Sequence, residues 1–413
     1  MGFRGFLDQP FWHSDPSMAN DADNAAKAAV INRAVQLQYD LVRELRPGES
    51  HQFVFYCRGE MYPLLEQGLL ELPPETTLLF TPGQPSEPLA DAHPRRGLYA
   101  WANFFNRWSD MRIMDRQPET IADTMSEAVE AGNTEMLVLN VGNLREKGFH
   151  IRQYMHLATD YPAWRGLAAG DQWTHTYVQM VLKADSQQLE EVYRRLTRLE
   201  NRLVPRGDEG VFTVVEFLLK ELYTGGDGAT LPVLKTVPGD TLSDKVIQLA
   251  TAFAHSADRW QTAWQRARVA EADVHPALQL FYRQEALAQT EKMYHLDSTI
   301  HDFCLSAVSY LQADYAPARN QAWQAVQHID DALKLENRID TDRFQGWHRN
   351  DMNCRTWKIK ELLTTWHRML DDLRFLNLPF QSRNPKLTYR HQYQPDFDSE
   401  YMRNGELMID NEA

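Results

Sequence analysis

The sequence predicts an α/β fold followed by an all-α region, and two features of its apolar pattern carry that prediction. Up to about residue 165, apolar runs of strand length alternate with helical stretches, as a parallel sheet with crossover helices requires. From about residue 171 onward the strand pattern stops, and the long segments place apolar residues at helical spacing. At 413 residues and 43% hydrophobic content, the chain is long enough for two or three domains.

The elements follow in order. Asp21 to Glu44 reads as a helix, with Val30, Ile31, Ala34, Leu37, Leu41 and Leu45 at helical spacing, and Pro47-Gly48 ends it. "QFVFYC" is a β-rich run, followed by "MYPLLEQGLLEL" and, after a double proline, by "TTLLFT". "GLYAWANFF" is a further strand candidate. Pro118 opens the helix "PETIADTMSEAVEAG", which Gly132 closes, and "EMLVLNV" follows directly as a buried strand running into a loop. Arg4 stands at the end of another predicted strand, giving about five strands in all.

The second half reads as amphipathic helices, from "QLEEVYRRLTRLENRL" to "TWKIKELLTTWHRMLDDLRFL". Their aromatic stripe (Trp260, Trp264, Phe281, Tyr282, Phe303, Trp323, Trp357, Trp366) is read as the core of a helical bundle. Residues 224 to 241 form a loop within it. The expected domains are residues 1–170, a helical bundle over 171–384 and an extended polar, aromatic tail over 385–413.

Asp and Glu outnumber Lys and Arg by 57 to 43, for a formal net charge of −14, and no basic run is longer than Arg95-Arg96. Basic runs this short argue against a nucleic-acid partner, since that needs clustered positive charge. No apolar stretch approaches the roughly 20 residues that span a bilayer, and the first residues do not read as a signal peptide. The compartment is left open. Cys57, Cys304 and Cys354 form no CxxC pair and read as buried thiols. The histidines lack metal-ligand spacing, and neither GxxxxGK[ST] nor GxGxxG occurs, so no metal and no cofactor is expected. The helical half offers surface for a homodimer, although a solvated helical face explains its charges as well.

Five motifs then occur in order: "MGFRGFLDQPF", "TTLLFT", "GLYAWANFF", "LVLNVGNLREKGFHI" and "GWHRNDMNCRTW". In order and spacing they resemble glycoside hydrolase family 115, from residue 1 to about 365. The family is known for xylan α-glucuronidases, which remove glucuronic acid or its 4-O-methyl ether from xylan. The resemblance implies a TIM barrel carrying the active site, followed by a helical domain. With about five strands against the eight of a closed barrel, residues 1–170 are then the C-terminal part of a (β/α)8-type barrel, in a divergent or N-terminally truncated member.

Hydrolysing a glycosidic bond ordinarily takes two carboxyl groups, and a uronate substrate calls for a cation such as a bidentate arginine. The resemblance makes Arg4 that cation, with an ion pair to Asp8 or Glu44 as the alternative reading. Asp8 becomes an acid or base, or else a turn residue or helix cap. Three positions depart from the family pattern: Trp101 stands where His is usual, Asn143 where Asp is usual, and Gly148 where Glu is usual. Glu146, two residues before Gly148, is the candidate replacement carboxylate. Tyr99, Trp101, Asn140 and Asn143 are the candidate substrate-binding residues, with core packing or loop hydrogen bonding as the alternative for Tyr99 and the asparagines. The expected function is a glycosidase acting on a polysaccharide that bears uronic acid. The alternatives are a non-catalytic relative that binds sugar or a partner, and a fragment without independent function.

Overall fold

A computed structural model describes residues 10–13, 18, 22–84, 86, 89, 93–102, 113–114, 116–142, 144–198, 209–226, 234, 237–341, 344–346 and 356–376. The chain forms two compact units. Unit 1 comprises residues 1–102, 118–141 and 151–170, and unit 2 comprises 103–117, 142–150 and 171–413.

Unit 1 holds helix α1 (Asn24–Leu45), strand β1 (Val54–Cys57), α2 (Tyr62–Glu66), β2 (Thr77–Phe80), β3 (Arg96–Trp101), α3 (Pro118–Glu130) and β4 (Leu137–Asn140). Helix α4 (Gly148–Thr159) crosses the division, its first three residues counting with unit 2, and α5 (Tyr161–Trp164) follows in unit 1. The four strands are all parallel and stand in sequence order, β1-β2-β3-β4. A doubly wound sheet reverses its strand order part-way. Sequential order instead matches one arc of a (β/α) barrel. A further strand was expected to end at Arg4, which lies outside the described residues.

The pleat sorts the sheet into two faces. One face carries Phe55, Cys57, Leu78 and Phe80, and it buries against Ala28, Ile31 and Val35 of α1 and Leu64 and Leu65 of α2. Asp23 starts α1 by accepting the amide of Ala26 at 2.7 Å, as an N-cap does. Leu37, Leu41 and Leu45 were expected on the covered stripe of α1, yet they are 69%, 49% and 68% exposed. Length explains the difference. A helix of 22 residues runs about 33 Å, whereas a strand of 4 residues runs about 13 Å, so the last turns of α1 outrun the sheet. Gly97 permits the close approach of β3 to β4, because a Cβ there would collide with the Met136 carbonyl oxygen.

Unit 2 is helical: α6 (Gly170–Val181), α7 (Gln187–Leu196), α8 (Glu209–Thr224), α9 (Leu242–Ala270), α10 (Gln279–Tyr282), α11 (Ala288–Leu311), α12 (Tyr315–Ile339) and α13 (Thr356–Leu376). A π-helical turn, Arg283–Leu287, joins α10 to α11. The long helices neighbour one another in succession, α9 on α11, α11 on α12 and α12 on α13. Thr241 and Asp244 close a capping box at the start of α9. Trp260, Tyr282, Phe303 and Trp366 lie in the core as expected, and the Trp366 indole N–H donates to Ser306 Oγ at 2.8 Å. Trp323 and Trp357 do not, being 47% and 49% exposed. The buried face of α12 is filled by Ala322, Ala325, Ile329 and Ala332. These small residues let the neighbouring helices approach closely and leave Trp323 outside the stripe. Cys57 and Cys304 are buried free thiols, while Cys354 lies outside the described residues. Among the described residues no helix is long and apolar enough to cross a membrane.

Candidate functional site

The second face of the sheet is unlike the first. Strand alternation places Tyr56 on β1, Tyr99 and Trp101 on β3 and Asn140 on β4 on this side, toward the C-terminal ends of the strands. All four are half-buried. The Tyr56 and Tyr99 rings stack at 4.2 Å with 22° between their planes, and Trp101 meets Tyr99 edge-on at 5.5 Å. Asn140, paired in register with Trp101, donates its amide to the Tyr99 hydroxyl at 2.9 Å. The arrangement is a row of aromatic faces ending in a fixed amide. In a barrel this face points inward, and the strand C-termini are where (β/α) barrels carry their chemistry. Such a row can stack on a sugar ring while the amide bonds its hydroxyls.

The chain leaves β4 and enters unit 2 at Gly142. There Arg145, Glu146, Lys147 and His150 are 6%, 3%, 0% and 0% exposed. Charged side chains are rarely buried unless paired, and these are partnered. Arg145 bonds Glu146 Oε1 through Nη2 at 2.7 Å and Nε at 3.2 Å, and its Nη1 reaches Asp340 Oδ1 at 2.9 Å. Lys147 Nζ donates to the Ile113 carbonyl, and His150 Nε2 bonds the Arg116 carbonyl at 2.8 Å. Glu146 is therefore a desolvated carboxylate held by a guanidinium.

Gly148, where the family pattern expects a glutamate, begins α4. A Cβ added there would stand 2.6 Å from Glu285 Oε1. Glu285 belongs to the π-helical turn and is fully buried. It accepts the Tyr177 hydroxyl at 2.7 and 2.8 Å and the Tyr193 hydroxyl at 2.7 Å. Burial, and next the charge of Glu285, push the Tyr193 phenol well above its ordinary range, so it stays a donor at neutral pH. The positive end of the α4 dipole also favours an anion at this point. A carboxylate from a distant part of the sequence thus occupies the space that a side chain at position 148 would use.

Of the residues singled out in the sequence, Tyr99, Trp101 and Asn140 come together on one sheet face, and Glu146 lies in the buried charged loop. Arg4, Asp8 and Asn143 lie outside the described residues. Tyr56, Arg145, Glu285, Tyr177 and Tyr193 were not anticipated. Glu285 left one sequence signal, a lone acid flanked at helical spacing by Tyr282 and Gln289, both of them buried. Among the described residues no group of three or more His, Cys, Asp or Glu side chains is arranged to hold a metal ion.

Residues 1–205, which include the sheet and the Gly142–His150 loop, match the sequence profile of Glycosyl hydrolase family 115. The matched residues are just under half of the chain, and over them the chain is similar to that family. A solved structure described as a family GH115 4-O-methyl-α-glucuronidase with specificity for decorated arabinogalactans is similar, with a TM-score of 0.57 over 87% of this chain. Identity to it is 15%, a level at which the likeness speaks to fold, and the chain spans 44% of that structure's length. Comparison with curated proteins gave no match.

Proposed function

We propose that this chain acts as a family-115 glycosidase that removes glucuronic acid, or its 4-O-methyl ether, from a branched plant-type polysaccharide. The observation that carries the reading is the half-buried row Tyr56, Tyr99, Trp101 and Asn140 at the strand C-termini, inside a sequence segment that matches the family. The residue roles follow the motif match. By the motif match Asp8 is one of the two carboxyl groups that the chemistry calls for, and Arg4 is the cation for the uronate carboxylate. Glu146, the candidate second carboxyl, would have to leave its buried pair with Arg145 to serve. Tyr99, Trp101, Asn140 and Asn143 bind the sugar. Xylan and decorated arabinogalactan are both candidate substrates, the second because the similar structure is described as specific for it.

Incubation with 4-O-methylglucuronoxylan and with glucuronic-acid-bearing arabinogalactan, followed by mass spectrometry of the products, tests the proposal. Release of free uronic acid that is lost in Asp8→Asn supports it, and absence of product from both polymers overturns it. A second reading, a sugar-binding relative without turnover, is favoured by one specific observation. Position 148, where the motif resemblance leads one to expect a glutamate, is glycine, and Glu285 fills the adjoining space. Calorimetry that detects uronate-oligosaccharide binding without product release selects that reading.

A further inference from the structure

The exposed Trp323 borders a groove of about 820 Å³ built from α11, α12 and α13, wholly within unit 2. Its volume falls within the range of about 300–1,000 Å³ typical of small-ligand clefts. The wall on α12 is a helical stripe: Trp323, Gln327, Asp330, Asp331 and Lys334 recur at three- and four-residue intervals, with Gln324 beside them. At 1.5 Å per residue the stripe is about 16 Å long. That is enough for a short linear oligomer. Lys360 and Thr364 line the opposite side on α13, and Asp302 contributes from α11.

The lining chemistry narrows the occupant. Both lysines are already engaged, Lys334 with Asp330 at 2.9 Å and Asp331 at 3.0 Å, and Lys360 with Asp330. Three carboxyl groups face two ammonium groups, so an anionic ligand finds no free cation. The apolar side chains of the lining are Trp323 and Val326 alone, too few for the spaced anchors of a partner helix. What remains is one broad aromatic face among planar hydrogen-bonding groups. Trp323 is held at 45° against the His367 ring, 5.3 Å away. His328 is fixed at the floor, with His295 Nδ1 at 3.3 Å from its Nδ1 and Asp302 Oδ2 at 3.6 Å from its Nε2.

We infer that this groove is a binding subsite for a neutral oligosaccharide. The C–H face of a pyranose ring covers Trp323, and the Gln324 and Gln327 amides with the Asp331 carboxylate bond the ring hydroxyls. The choice of oligosaccharide rests on the proposed function, but none of these residues belongs to the candidate site and a neutral main chain needs no uronate, so failure of binding here and failure of uronate release are separate results.

The test is calorimetric titration of the full chain with xylohexaose and with galactohexaose, repeated on Trp323→Ala, Trp323→Phe and Gln327→Ala. Trp323 is half-exposed, so its variants are expected to melt within a few degrees of the parent. At least one hexaose is expected to bind, with affinity down about tenfold in Trp323→Ala, partly restored in Trp323→Phe and down several-fold in Gln327→Ala. Because the ligand is uncharged, raising the salt concentration is expected to leave the affinity unchanged. No binding of either hexaose, or binding that Trp323→Ala leaves intact, overturns the inference.

Discussion

Replacing Gly148 with alanine sets two effects of opposite sign against each other. Position 148 is the first residue of α4, where alanine is favoured over glycine by up to about 1 kcal/mol on helix propensity alone. Against this, the new Cβ would lie 2.6 Å from Glu285 Oε1. The carboxylate cannot simply swing aside, because it is fully buried and receives three hydroxyl contacts of 2.7 to 2.8 Å. Overpacking a well-filled core costs about 1–3 kcal/mol. The net expectation is a loss of about 1–2 kcal/mol, read as a lower urea midpoint at unchanged slope. In a Glu285→Ala background, itself destabilised by about 3 kcal/mol or more through a cavity and unsatisfied tyrosine hydroxyls, the clash is gone. There Gly148→Ala is expected to be neutral or stabilising, for a coupling of about 2 kcal/mol in the double-mutant cycle. Stabilisation by Gly148→Ala in both backgrounds would refute the claim that Glu285 is what requires glycine at 148.

Tyr193→Phe removes a 2.7 Å donor from a buried carboxylate and is expected to cost about 1–3 kcal/mol in thermal or urea unfolding. Asp297, enclosed by burial, has its carboxyl pushed from 3.8 up to about 7. A raised acid contributes fully at pH below its unfolded value and loses that contribution as pH rises through about 7, a span of roughly 4 kcal/mol at most. Asp297→Asn is therefore expected to gain stability relative to the parent between pH 4 and 7.5, which urea midpoints at three pH values can check; a constant difference contradicts it. The opposing titration of His295, pushed down to about 4 by burial and then by His328, is common to both proteins and cancels in the difference. Asn140→Ala is expected to lower uronate-oligosaccharide binding or turnover at least tenfold with a melting change of only a few degrees, because the side chain is half-buried and bonds a single hydroxyl.

What the sequence made legible follows from what periodicity measures. The strands β1 to β4 were visible because short apolar runs bounded by proline or loop residues have few other solutions. Their parallel direction was legible from the intervening helices, whereas their sequential order and the face shared by Tyr99, Trp101 and Asn140 needed the register of the folded sheet. Periodicity does not report whether anything covers a stripe. Leu37, Leu41 and Leu45 have the spacing of core residues, and only the shortness of the strands leaves them in solvent. Trp323 failed for a related reason, since around it the covered face of α12 is made of alanines, Ala318, Ala322 and Ala325. Glu285 was invisible because its partners, Tyr177, Tyr193 and Gly148, lie more than 90 positions away and no local rule links them. The substitution at Gly148 was readable as an absence, and its physical reason required the tertiary neighbour.

The most direct test of the account is whether the purified chain liberates uronic acid from polysaccharide. The expected result is time-dependent release of glucuronic acid, or its 4-O-methyl ether, from glucuronoxylan or decorated arabinogalactan, reduced at least tenfold in Trp101→Ala and in Asn140→Ala. Folded protein that gives no product from either polymer after prolonged incubation would contradict it.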